Sequence, residues 1–114
     1  MGDRANVYVH EGNKPGVYLY THWEGSELPQ TVVRALQRGR GRWDDVQYLT
    51  RIIFGEMVGQ DVYGTTGYGI SAEVGDGDDR IVDVDTATQQ IRFKGYGDLD
   101  LGSHVPIRAL PEAT

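Results

Sequence analysis

Two stretches decide the fold: Arg4-Ala-Asn-Val-Tyr-Val-His10 and Gly16-Val-Tyr-Leu-Tyr-Thr-His-Trp23. Both alternate in polarity and are rich in β-branched and aromatic residues, the pattern of a half-buried strand. Between them, Glu11-Gly-Asn-Lys-Pro-Gly16 concentrates the residues that turn a chain. The short link predicts an antiparallel hairpin. Sorted by parity, Ala5, Val7 and Val9 share one face with Val17, Leu19, Thr21 and Trp23. Arg4, Asn6, Tyr8 and His10 share the other with Tyr18, Tyr20 and His22. The first set reads as a core face. The second offers aromatic area together with hydrogen-bonding tips, which suits a binding surface.

Outward from the hairpin, Glu24-Gly-Ser26 breaks the alternation and Leu28, Val32, Ala35 and Leu36 recur at helical spacing. Ser26 is the expected N-cap, Pro29 fits the first turn, and Gly39 and Gly41 end the helix. Asp44, with Gln47 three residues on, resembles a capping box for a second helix. Its apolar stripe is Val46, Leu49, Ile52, Ile53 and Met57, and Gly59 closes it. Beyond it, Ile70, Ala72 and Val74 alternate, then Val82 and Val84, then Ile91 and Phe93, with Thr86–Thr88 as a hairpin tip. Val105–Ile107 fits a short edge strand, where Pro106 is tolerated. The expectation is one α+β domain over residues 1–114, its tail frayed from about 109. In the order β-β-α-α-β-β-β, two helices would cover one face of a mostly antiparallel sheet.

Composition narrows the function. A chain of 114 residues with 39% hydrophobic content supports one core. No apolar run reaches membrane-spanning length and the first residues lack the pattern of a signal peptide, so a cytoplasmic protein is the simplest expectation. With no Cys, disulfides, thiolate catalysis and Cys-based zinc sites are excluded. Residues 1–60 balance seven basic against seven acidic side chains. Residues 61–114 hold four against ten, and that difference of six is the whole net charge of −6. An acidic second half makes nucleic acid an unlikely partner, because phosphate contacts dominate that affinity.

The segments Met1-Gly-Asp-Arg-Ala-Asn-Val7, Val17-Tyr-Leu-Tyr-Thr-His-Trp23, Gly25-Ser-Glu-Leu-Pro29 and Gly39-Arg-Gly-Arg-Trp-Asp-Asp45 carry a resemblance. Over roughly residues 1–70 the chain resembles a family of short proteins of uncharacterised activity carried by bacteria, archaea and their phages. The resemblance implies an accessory role in host–virus conflict and carries over no cofactor or catalytic residue.

The leading site is therefore the polar-aromatic hairpin face of Arg4, Asn6, Tyr8, His10, Tyr18, Tyr20 and His22, rimmed by Trp23 and the Arg40/Arg42 turn. It would hold a protein partner or an anionic small molecule, a nucleotide being one example, or form a homo-oligomer by stacking two sheets. Arg38, Arg40, Arg42 and Arg51 form a basic cluster that Asp44 and Asp45 would neutralise. Gly64-Thr-Thr-Gly-Tyr-Gly69 runs from helix to strand, opposite to a phosphate-binding loop, and reads as a tight connection or lid. Asp76, Asp78, Asp79, Asp83 and Asp85 lack an EF-hand's ordering and read as turn carboxylates. His10, His22 and His104 lack metal-helix spacing, so neither metal nor cofactor is expected. Two alternatives stand beside the binding module. One is a small hydrolase or transferase centred on His22 as base, supported by Arg4 and Tyr20, with Thr21 or Ser26 as the nearest hydroxyls. The other is an inhibitory protein whose carboxylates, with Asp98 and Asp100, imitate nucleic acid.

Overall fold

In the computed structural model, residues 2–75, 79–97 and 105–111 are described. The hairpin forms in the register its parity predicts. β1 (Ala5–His10) pairs antiparallel with β2 (Val17–Thr21), from Ala5↔Thr21 to Val9↔Val17. Ala5, Val7, Val9, Leu19 and Thr21 are fully buried on one side. Gly16 closes the turn so tightly that a Cβ there would strike the Val9 carbonyl and the His10 side chain, which excludes any other residue.

Helix α1 (Leu28–Arg38) buries Leu28, Val32, Ala35 and Leu36 and α2 (Val46–Val58) buries Leu49, Ile53 and Met57 in one core with the sheet's aliphatic face, α2 lying over the hairpin and α1 over the strand at Ile81–Asp85. Both caps differ from expectation. Ser26 does not cap α1, because it is held in a 3-10 turn over Gly25–Glu27. There its amide donates to Asp3 Oδ2 (3.0 Å) and its hydroxyl accepts from Arg80 (3.3 Å). Glu27 takes the cap position with no side-chain bond. A second 3-10 turn at Arg40–Arg42 delays α2, so Asp45 rather than Asp44 caps it, accepting from the Tyr48 amide at 3.2 Å.

After the helices come β3 (Tyr68–Ser71), β4 (Ile81–Asp85), β5 (Gln90–Lys94) and β6 (Val105–Pro106). β3 lies two residues earlier than the Ile70–Val74 alternation suggests. The described residues form one six-stranded sheet, ordered β3-β2-β1-β4-β5-β6. All neighbours are antiparallel except β1 and β4, which run parallel from Asn6↔Ile81 to His10↔Asp85. The chain thus passes from one edge of the sheet to its centre between β3 and β4. Glu73 and Gly75 line a shallow groove with Asn6 and Tyr20, which places the start of that crossing on the side away from the helices. Residues 109–111, expected to fray, are tied down. Leu110 packs on the core and its amide donates to the Ile107 carbonyl (3.0 Å), while Gln37 donates to the Pro111 carbonyl (2.8 Å).

Candidate functional site

The face opposite the helices is built in cross-strand rows. The central row runs Ser71–Tyr18–Tyr8–Asp83–Arg92 across β3, β2, β1, β4 and β5. The next row toward the turn places His10 beside Asp85. Rings at such spacing meet face to face. Tyr8 stacks on Tyr18 with centroids 4.4 Å apart and on His10 at 4.6 Å. The Tyr8 hydroxyl accepts from the Gly16 amide at 3.1 Å, which fixes the ring against the turn.

His10 is the most tightly held ring. Nδ1–H donates to the Gly12 carbonyl (2.8 Å) and Nε2–H to Asp83 Oδ1 (2.6 Å). Both partners are acceptors, so the geometry is completed only by the doubly protonated ring. Burial alone pulls the His10 pKa down. The Asp83 hydrogen bond, the Gly12 carbonyl and the charges of Asp83 and Asp85 outweigh it, so the value rises above 6.5. Burial likewise pushes Asp85 up, yet the amides of Gly12, Ala87 and Thr88 and the His10 charge hold it below 3.8. Asp83 and Asp85, read in sequence as exposed turn carboxylates, thus anchor this face. Parity already put them on one side of 81–85. The missing signal was the parallel pairing with β1, which no local spacing encodes.

The other end of the hairpin carries His22. The Tyr20 hydroxyl (3.0 Å) and Arg4 Nε–H (3.2 Å) both donate to its Nδ1, which makes that nitrogen the acceptor. Trp23 meets the ring edge-on at 4.2 Å, and Gly2 lies so close that a Cβ would strike it. His10 and His22 stand opposite Gly16 and Arg4 respectively, at the two ends of the hairpin. The hydroxyls nearest His22 in sequence are engaged elsewhere, Thr21 by the Glu24 amide and Ser26 by Arg80. Below this corner Asp3 binds Arg80 Nη2 at 2.6 Å, and Tyr96 donates to the Gly25 carbonyl at 2.8 Å.

Three of the ten expected site residues, Asn6, Arg40 and Arg42, sit differently from expectation, while Trp23, grouped by parity with the core face, lies out at the rim beside His22. Asn6 is only 1% exposed, at the bottom of the groove it shares with Tyr20, Glu73 and Gly75. Trp23 leaves the aliphatic side once β2 ends at Thr21 and is 57% exposed. Arg40 and Arg42 belong to the turn between the helices, stacked on Trp43 (4.7 Å) and Tyr48 (4.6 Å), so they do not rim the hairpin face. Arg4, Tyr8, His10, Tyr18, Tyr20 and His22 lie together as expected, Arg4 exposed and the rest half-buried.

Sequence reasoning missed Arg92. Its Nε is buried with no hydrogen-bond partner, although Asp83 is its cross-strand neighbour. Alternation in Gln90–Lys94 places it on this face, but only the sheet order brings it into line with the two tyrosines. Among the described residues, no group of three or more His, Asp or Glu is placed to hold a metal ion. His104, Asp76, Asp78, Asp98 and Asp100 lie outside the described residues. No described helix is long and apolar enough to cross a membrane. Compared with known protein families, curated proteins and solved structures, the chain matches none.

Proposed function

We propose that the protein is a non-enzymatic binding module and that the open sheet face holds a protein partner. The observation that carries this reading is the row Tyr18–Tyr8–Asp83–Arg92, with His10 stacked beside it. Rigid aromatic rings give contact area at low entropy cost, and an arginine beside them gives direction, the combination found at binding hot spots. The row spans four adjacent strands, a width that favours a macromolecular surface over a small ligand. The groove near it holds ≈ 270 Å³ and is lined by neither His22 nor Arg4, which weighs against a hydrolase there. The resemblance noted above supports an accessory role in a cytoplasmic, phage-associated setting. Two copies stacked through this face would make a homo-oligomer by the same chemistry.

Site-specific photo-crosslinking in expressing cells tests the proposal. A benzophenone amino acid replacing Tyr18 should give a discrete crosslinked product, and the same group replacing Tyr48 on the helical side should not. A product at twice the chain mass would make the partner a second copy. Equal yields from both positions would remove the case for this face.

A further inference from the structure

A second site lies on the other layer. The outer side of α2 and the segment after it enclose a groove of ≈ 380 Å³, within the range of small-molecule sites. Its walls are apolar, from Ile52, Phe54, Val58 and Val62, and its floor is Gly55. Gly55 sits inside a helix, where glycine costs stability relative to alanine. Nothing in the surroundings demands it, since a Cβ there would meet no atom within 4 Å. A side chain at 55 would lean back over the preceding turn, toward Arg51. Its absence is what keeps the groove open beside that arginine.

Charge in the groove is divided between its ends. Arg38 and Arg51 stand at one end, but Arg38 is occupied by Glu56 (3.0 Å) and the Ile52 carbonyl (3.3 Å). Arg51 has no ion pair or hydrogen bond among the described residues. At the far end the Asp61 carboxylate folds over Gly64 in its own turn. Tyr68 there is pushed up to about 12, by burial and then by its hydrogen bond to Glu24, so its hydroxyl keeps its proton. We propose that this groove binds a small organic anion with an apolar body. Its charged group pairs with Arg51 and its body lies over Gly55 between Ile52, Phe54, Val58 and Val62.

Fluorescence titration with 8-anilinonaphthalene-1-sulfonate, alongside its uncharged relative N-phenyl-1-naphthylamine, tests this on the whole chain. The anion should bind saturably at one site and more tightly than the neutral probe. Arg51→Gln should weaken it about tenfold, and Gly55→Leu should abolish binding. Gly55→Ala should raise the melting temperature while weakening the probe. Tyr18→Ala should leave binding unchanged, which separates this groove from the open sheet face. Saturation lacking altogether, equal affinity for the neutral probe, or wild-type affinity in Arg51→Gln and Gly55→Ala would overturn the assignment.

Discussion

Val7 and Leu19 oppose each other across the hairpin, and so do Tyr8 and Tyr18, one residue along each strand. The first pair lies at zero exposure beneath α2; the second stays half-buried on the far side, with its rings stacked. Adjacent pairs on the same two strands thus serve different ends. One excludes water to hold the fold. The other is set in place by the turn, by Asp83 and by its own stacking, and leaves polar tips at the surface.

If that division holds, truncation should cost very different amounts on the two faces. Leu19→Ala should be the most damaging, about 2–5 kcal/mol in a denaturant titration, because the cavity opens in the core beneath α2. Asp83→Ala comes next. It leaves His10 with one unmet N–H and should cost about 1.5–3 kcal/mol at pH 6, the range for a hydrogen bond to a charged group. The same latch gives a pH dependence of known sign. His10 is raised in the folded state, so its contribution is complete below pH 6.5 and is lost as pH climbs through the folded value. Asp85 and Asp3 are lowered, so theirs is complete above 3.8 and is lost in acid below it. Melts from pH 3 to 9 should therefore show a plateau between the two, and His10→Gln should flatten the alkaline limb most and the acid limb less, because it also removes the charge that helps to hold Asp85 down. Tyr8→Phe removes the Gly16 amide's acceptor and should cost about 0.5–1.5 kcal/mol. Arg92→Met should have the smallest effect, neutral or stabilising by up to about 1 kcal/mol, since it deletes a buried donor that lacks a partner.

The contrast also shows what alternation can and cannot deliver. Which hairpin residues face the helices followed from parity, because side-chain direction in a strand is a local property. That Leu28, Val32, Ala35 and Leu36 form one buried stripe was equally local. The site was only half legible, because its other half comes from β4 and β5, joined to the hairpin by a parallel pairing between residues 75 apart, as in Asn6↔Ile81. Asp83 and Arg92 could be assigned a face but not a neighbour. Asn6 is buried beside residues 73 and 75, far along the chain, and the departure of Trp23 depends on where a strand stops. Ser26 does not serve as the N-cap because Asp3 and Arg80, distant in sequence, engage its amide and its hydroxyl.

The most direct test is the stability of the double variant Tyr18→Ala/Arg92→Ala, measured by denaturant unfolding beside Leu19→Ala. A face assembled for contact should lose no more than about 1.5 kcal/mol, the worth of one aromatic pair, and should keep a cooperative transition. A loss matching that of Leu19→Ala would show that the tyrosines and arginine form a second core, contradicting the role given to this face.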